Sequence, residues 1–548
     1  MIFSPTAEQR AIFGYMADPD SGHLIIEARA GAGKTSTMEE ALNHAPEAMT
    51  GSVLVCAFNK DIVGEFRKRV KRSGRGDRVK TMTLHGFGLR FLRAASGQDV
   101  IPRDGHDFEI ARTITDRMWG GAFPTPRNGG HRVPSMLARA VATIASWGKN
   151  TLTVDAKALL EAAAEHDMFP KNLPRYAQLT REQMVETALE SMRDAIRLFR
   201  IGSNDVSHDD CIFLPWALDL QCPGMQKDLV IVDEGQDLNE AQKDLIKRVC
   251  RGRIVVVGDP KQAIYEWRGA TEAALEKMAI ELEATTLPLT VTFRCPRRVV
   301  DAANTLVSDF QPRPGAPLGL VECIHPSELA SQASEGAFVI ARTNAWAVRA
   351  CLALIKANLK ATVLGRDIGK ALISRIHDVY PPGEGGKRWT KVLVRKLKAH
   401  LDRERMFLEQ MGRFEAIRSR TDEVDAITVL CEGHQYVEDV EKRISKTFSE
   451  GRAQGRIVCM TAHKSKGLEA DTVFLMDESF GQSPHANIDY VAMTRAKRRL
   501  VFCGSRQGHF ELQMNAAGVP RKGDQTSHER DQMRLNAAVE SLPLFNVA

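Results

Sequence analysis

Short apolar, β-branched runs recur along this chain, and each is followed by a turn and a stretch with helical spacing. In the first half they are residues 23–28, 53–58, 229–232 and 254–257. In the second half they are residues 289–293, 338–341, 361–364, 457–461, 472–476 and 500–503. A strand buried on both faces has no polar alternate positions, so such runs alternating with helices imply parallel α/β sheets covered on both sides. The two sets predict two α/β domains with a junction near residues 282–289. Two helical stretches interrupt them. Residues 87–225 show 3.6-type periodicity in 136–147, 156–166 and 181–199, with a loop at 120–134. Residues 369–454 are charged and contain the helical segment 391–411. Both read as insertions in the α/β cores.

With 548 residues the chain is too long for one core. Its ten cysteines are scattered, with no C-x-x-C pair, which fits the reduced thiols of a cytoplasmic protein. The start, MIFSPTAEQRAIF, has no basic segment leading into an apolar one, so a secretory signal is not expected. No apolar run is long enough to span a bilayer. The net charge of +6 is mild, but Arg67, Lys68, Arg69, Lys71, Arg72, Arg75, Arg78 and Lys80 cluster. That cluster reads either as a solvated helix face and loop or as a phosphate track.

Residues 27–36 read EARAGAGKTS between a strand and a helix. The loop Ala28, Arg29, Ala30, Gly31, Ala32 and Gly33 can cradle phosphates with backbone N–H groups. Lys34 would reach the β- and γ-phosphates, the Thr35 hydroxyl would ligate Mg²⁺, and Ser36 lies beside them on the helix. Ala28 stands where the general pattern has its first glycine. Residues 229–237 read LVIVDEGQD, an apolar strand ending in an acidic pair. At the carboxyl end of a strand, Asp233 would hold Mg²⁺ and Glu234 would orient and deprotonate the attacking water. Residues 258–270, GDPKQAIYEWRGA, set Gln262 at the tip of a buried strand, with Tyr265, Trp267 and Arg268 close behind. An amide can sense a terminal phosphate, and flat rings and a guanidinium can stack on unpaired bases. One loop could thus touch ATP at one end and single-stranded nucleic acid at the other.

In this order the motifs resemble the UvrD/Rep/PcrA-like superfamily 1 helicases over nearly the full chain. Residues 3–9 are similar to the Q motif, 28–35 to motif I, 57–60 to Ia, 83–86 to Ib and 233–237 to II. Residues 258–270 are similar to motif III, 292–294 to IV, 461–469 to V and 490–497 to VI. The resemblance implies two RecA-like P-loop domains with helical insertions. Their bounds would be 1–86, 87–225 (insertion) and 226–285 for the first. The second would comprise 286–368, 369–454 (insertion) and 455–506, followed by a polar tail at 507–548.

The resemblance also implies roles. Gln9 would read the adenine edge, Phe293 would stack on adenine and Glu469 would contact the ribose. Arg294 and Arg495 would reach the γ-phosphate from the opposite domain, and Gln262 would couple that phosphate to DNA. Phe58, Asn59, Thr83, His85, Tyr265, Trp267, Arg268, His463, Lys464 and Lys466 would contact single-stranded DNA. The activity implied is ATP-dependent, Mg²⁺-dependent DNA unwinding or translocation with 3′→5′ polarity, on single strands and single-strand/duplex junctions. Alternatives are a translocase that displaces proteins without opening duplex, and an ATP-gated recruitment module. The departures are Gly235 in motif II, a small-for-small change expected to be tolerated, and a reduced second insertion. After motif VI about fifty residues remain, too few for a fused nuclease. The end, with Leu542, Leu544 and Phe545, resembles the short peptide by which bacterial and phage replication proteins bind the sliding clamp. Packing of the tail on its own domain is the other reading.

Overall fold

The computed structural model describes residues 4–47, 50–56, 64, 78–123, 135–166, 168–170, 179–264, 273–382, 387–410, 414–449, 455–481, 485–504 and 509–510. By their contacts these fall into two units, 1–28 with 33–289, and 29–32 with 290–548.

The first unit is built on a six-stranded, fully parallel sheet. Its strands are β1 (Leu24–Ala28), β2 (Val53–Cys56), β3 (Val79–Met82), β4 (Lys227–Val232), β5 (Cys250–Gly258) and β6 (Thr285–Leu289), in the spatial order β3-β2-β4-β5-β1-β6. The apolar runs of β2 and of 229–232 in β4 are buried throughout, as expected of central strands covered on both faces. Because β4, β5 and β1 are neighbours, the loops that leave their carboxyl ends emerge side by side. Those loops carry residues 233–237, 259–262 and 29–33. The helix Ala7–Ala17 begins with a capping box: Thr6 Oγ1 accepts from Gln9 N–H and Gln9 Oε1 accepts from Thr6 N–H.

Between β3 and β4, among the described residues, six helices form a second hydrophobic cluster: Leu84–Ser96, His106–Trp119, Ser135–Thr151, Ala156–Glu165, Arg181–Arg200 and Asp210–Ala217. Leu92, Leu137, Val141, Ile144, Val185, Ala188 and Phe213 meet there, all buried. Lys149 lies inside this bundle, 2 % exposed, with its Nζ paired to Asp107 and, at 2.7 Å, to Asp210. It ties together three of the helices.

The second unit contains a seven-stranded parallel sheet. Its strands are β7 (Leu320–Ile324), β8 (Phe338–Ala341), β9 (Ala361–Leu364), β10 (Phe448–Ser449), β11 (Ile457–Thr461), β12 (Ala470–Met476) and β13 (Ala496–Cys503), in the order β7-β13-β12-β8-β11-β9-β10. Among the described residues four helices, Arg366–Val379, Thr390–Gln410, Phe414–Cys431 and Val437–Thr447, lie between β9 and β11. Leu372, Leu393, Leu397, Ile427, Val440 and Ile444 join the same buried cluster as Val339 and Val363 of the sheet.

The strand expected at residues 289–293 differs from the sequence expectation. Residues 289–293 do not form one strand of the second sheet. Thr285–Leu289 pairs with β1 at the edge of the first sheet, and Val291–Thr292 pairs with Gln311–Pro312. Threonine and valine continue the β-favouring composition across the boundary, so composition does not mark it. Pro288 lacks an N–H and is tolerated because β6 is an edge strand. All ten cysteines are free thiols. No described helix is long and apolar enough to cross a membrane.

Candidate functional site

The glycine-rich loop is shaped by two residues in the left-handed region, Gly31 (φ 68°) and Gly33 (φ 80°). Gly33 caps the helix Lys34–His44, which therefore starts with its N–H groups directed back toward the loop. In the first unit Lys34 Nζ lies 2.9 Å from Glu234 Oε1. The other carboxylate oxygen, Oε2, accepts from Gln236 Nε2 at 2.6 Å. Gln236, fully buried, uses its oxygen to accept the N–H of Asp259 at 3.0 Å. Asp259 Oδ2 then accepts from Gln262 Nε2 at 2.6 Å. One hydrogen-bonded chain thus runs from the loop lysine through the acidic pair to the glutamine beyond β5.

The backbone at this point is specialised. Glu234 adopts left-handed angles, φ 57° and ψ 43°, which costs a non-glycine residue about 1–3 kcal/mol. The turn aims its carboxylate at Lys34 rather than along the strand. Gly235 follows, and a Cβ there would stand 2.2 Å from Val256 Cγ1 and 3.0 Å from Leu275 Cδ2. Glycine is what allows the acidic turn to lie against β5.

Burial opposes the charge of Lys34, but Glu234, Asp233 and Asp259, together with the hydrogen bond that Lys34 donates to Glu234, hold its pKa above the ordinary lysine value. The ammonium is therefore kept protonated in a buried setting, the state needed to meet a phosphate. Thr35 at the helix start and Asp233 at the end of β4 are hard oxygen donors of the kind Mg²⁺ takes, so they fit that ion. Asp233 N–H extends the β2–β4 ladder to Cys56 O at 2.9 Å, and its Oδ1 accepts from Glu234 N–H at 2.9 Å. Gln9, 1 % exposed, also donates its Nε2 to Thr37 Oγ1 at 2.9 Å. Its amide is thereby fixed beside the P-loop helix.

Thr83 caps the helix Leu84–Ser96 by accepting from Gly86 N–H. His85, one residue into that helix, lines a cavity of about 610 Å³ that also reaches Asp233, Asp237, Trp147, Asn150 and Asn239. The cavity brings a residue expected to contact DNA and one expected to hold a metal onto a common wall. Phe58, Asn59, Tyr265, Trp267 and Arg268 lie outside the described residues.

The second unit takes in the loop tip Arg29–Ala32. Arg29 makes a bidentate pair with Asp309 at 2.8 and 2.7 Å, and Ala30 N–H donates to Tyr490 Oη at 2.9 Å. A Cβ on Gly31 would fall 2.5 Å from Arg294 Cβ, so this position also demands glycine. The Phe293 ring is 45 % exposed, free to face a ligand, while its N–H is anchored on Gly31 O at 2.9 Å. Arg294 Nε pairs with Glu469 Oε2 at 2.8 Å and its Nη1 reaches Thr494 O at 3.3 Å. Arg495, 1 % exposed, bonds to Val491 O (2.7 Å), Leu468 O (3.3 Å) and Thr494 Oγ1 (3.1 Å). Three residues named from sequence, Arg294, Glu469 and Arg495, therefore converge around Thr494. His463 is pushed down to about 4 by burial first, then by Arg342, His485 and Lys466. It is neutral near pH 7. Leu542, Leu544 and Phe545 lie outside the described residues.

Several participants were not singled out from sequence: Gln236, Asp259, Thr37, Asp309 and Tyr490. Gln236 and Asp259 sit inside motifs that were read for other residues. Their signal was a polar side chain in an otherwise buried strand-end context, where burial requires a partner.

Comparison with known proteins agrees with this geometry. Residues 8–282 match the model of the UvrD/REP helicase N-terminal domain, and 456–503 match the UvrD-like helicase C-terminal domain. The chain is 25 % identical to F-box DNA helicase protein 1 of Schizosaccharomyces pombe over 90 % of its own length and 57 % of that protein. It is 26 % identical to ATP-dependent DNA helicase PcrA of Leuconostoc citreum, over 52 % of this chain and 37 % of that one. It is 24 % identical to ATP-dependent DNA helicase Rep of Escherichia coli, over 53 % and 42 % respectively. The chain thus spans less than two thirds of the length of these relatives. Two parallel-sheet units, a P-loop and the ordered motifs across both place the chain in the UvrD/Rep family of helicases.

Proposed function

We propose that this chain is an ATP-driven motor that moves 3′→5′ along single-stranded DNA and separates strands at single-strand/duplex junctions. The observation that carries the reading is the hydrogen-bonded chain Lys34–Glu234–Gln236–Asp259–Gln262. It supports a path by which a change at the phosphates reaches the loop that continues into Tyr265, Trp267 and Arg268.

The loop 28–33, with Lys34, Thr35 and Ser36, holds the triphosphate of ATP, while Gln9 and Phe293 take the adenine and Glu469 the ribose. Mg²⁺, held by Thr35 and Asp233, would neutralise phosphate charge. Phosphate oxygens compete with Glu234 for the Lys34 ammonium, leaving the Glu234 carboxylate to accept a proton from the attacking water. Arg294 and Arg495 offset the charge that builds on the transferring phosphoryl group. Closing and reopening of the two RecA-like domains with each ATP shifts one grip on the strand relative to the other. The grip consists of Phe58, Asn59, Thr83, His85, Tyr265, Trp267, Arg268, His463, Lys464 and Lys466. Since His463 is neutral near pH 7, it contributes a hydrogen bond rather than charge. We take 87–225 and 369–454 as insertions in the two domains, and the tail residues Leu542, Leu544 and Phe545 as a clamp-binding peptide.

A second reading, displacement of proteins from single strands without duplex opening, is favoured by the second insertion, whose four helices share the core of the sheet. A third, an ATP-gated recruitment module, predicts ATPase indifferent to DNA. Unwinding of duplexes bearing a 3′ or a 5′ overhang, beside removal of a protein block from a single strand, separates the three. The leading reading expects opening from the 3′ overhang. Block removal without opening supports the second, and neither activity supports the third.

A further inference from the structure

The second insertion presents an exposed aromatic where a packed side chain would be expected. Trp389 stands directly before the helix Thr390–Gln410 and is 48 % exposed. Its backbone is nonetheless held firmly. Trp389 and Tyr436 form an antiparallel bridge, Thr390 N–H donates to Gln435 O at 3.0 Å, and Val437 N–H donates to Arg388 O at 2.8 Å. Arg388, buried, locks the base of the platform through Glu438 (2.8 Å), Glu441 (2.7 Å) and Tyr380 O (2.8 Å). The Trp389 and Tyr436 rings lie 5.1 Å apart, and Lys387 Nζ sits 4.4 Å from the Tyr436 ring. An exposed indole on a rigid base is a ready stacking surface.

A line of cations continues from it. Leu393 and Leu397 turn inward, fully buried. On the opposite face Lys391, Arg395 and Lys398 are exposed, at i, i+4 and i+7. Each i,i+4 step advances about 6 Å along the helix, so the stripe follows a direction rather than forming a point. Among the described residues none of these three makes an ion pair, and the stripe ends at the exposed Asp402. From 387 to 405 there are eight lysines and arginines against two acids. This is not the sign balance of a face solvated by internal pairs.

We propose that this face is a second binding site for single-stranded nucleic acid, with Trp389 stacking one base and Lys387, Lys391, Arg395 and Lys398 holding backbone phosphates. It rests on the reading of the chain as a DNA motor but uses none of the motif residues. Charge complementarity selects a polyanion, and the exposed indole selects one with unpaired bases, since a duplex offers no free base face along its length.

The test is stoichiometric titration of the full chain with a short fluorescent oligothymidylate, read by anisotropy at several salt concentrations. The wild type should take two equivalents. Trp389→Ala should weaken one of them about tenfold, while Trp389→Phe, which keeps a flat ring, should restore most of that loss. The triple variant Lys391→Glu, Arg395→Glu, Lys398→Glu should weaken that equivalent further, with the salt slope of the affected site shallower by about 2. A single equivalent in the wild type, or two undiminished equivalents in the triple variant, overturns the proposal. So does displacement of the second equivalent by duplex or by polyglutamate in preference to single strands. DNA-stimulated ATPase is read in parallel. Its absence with both equivalents present would count against the motor reading and leave this site standing.

Discussion

Lys34 Nζ and Glu234 Oε1 are 2.9 Å apart, so the two side chains assigned to phosphate binding and water activation are already partners. The contact depends on a strained backbone at Glu234 and on a glycine after it. It also depends on Gln236, which holds the other carboxylate oxygen. Each dependence can be tested.

Gly235→Ala should destabilise the first unit. The added methyl meets Val256 and Leu275, and overpacking of this kind costs about 1–3 kcal/mol. Thermal unfolding should show a lower midpoint. Gly235→Ala combined with Val256→Ala should recover part of the loss, and an unchanged midpoint in the single variant would contradict the packing shown here.

Gln236→Ala removes the bridge between Glu234 and Asp259. The Glu234 carboxylate is then free to reorient while the loop 28–33 is untouched. We expect kcat for ATP hydrolysis to fall, by up to roughly 10²-fold, with KM for ATP little changed. Gln236→Glu should not rescue it, because a carboxylate cannot donate to Glu234. A change confined to KM would exclude a positioning role.

Lys149 is buried between Asp107 and Asp210, and burial raises the Asp107 pKa while Lys149 opposes that rise. Lys149→Met should destabilise the helical bundle by about 3–5 kcal/mol, since it strands the buried carboxylate of Asp210 and the half-buried one of Asp107. The triple variant Lys149→Met, Asp107→Asn, Asp210→Asn should regain most of that stability. Equal losses in the two variants would mean that packing, not charge, is the cause.

His463 gives a pH signature. The unfolded chain takes up the histidine proton near 6.5 and the native state only near 4. Between those values the unfolded state binds more protons, so stability falls as pH drops through the window. Asp489, raised to about 6 chiefly by burial, acts in the opposite sense. The informative quantity is therefore the difference between wild type and His463→Gln. The variant should gain relative stability as pH is lowered from 6.5 to 4, and a pH-independent difference would contradict the assignment.

Central strands were legible in the sequence because burial on both faces leaves an unbroken apolar run; 338–341, 361–364 and 457–461 have the bounds expected. Edge strands were not. β3 alternates, with Lys80 exposed, and β7 carries Glu322 and Cys323, so neither reads as a continuous run. Four helices of the insertions were visible from their periodicity, ending within a few residues of 136–147, 156–166, 181–199 and 391–411. What sequence could not convey was conformation and pairing. Nothing in the letters DEGQD indicates that Glu234 turns left-handed or that Gln236 faces both Glu234 and Asp259. Those facts arise from the sheet order that sets β5 between β4 and β1.

The most direct test of the account is steady-state ATP turnover, with and without single-stranded DNA, in the wild type and in Glu234→Gln. We predict that DNA stimulates the wild type. In Glu234→Gln turnover should fall by about 10²–10⁴-fold, while equilibrium binding of ATP is retained. Turnover indifferent to DNA in the wild type, or undiminished in Glu234→Gln, would contradict it.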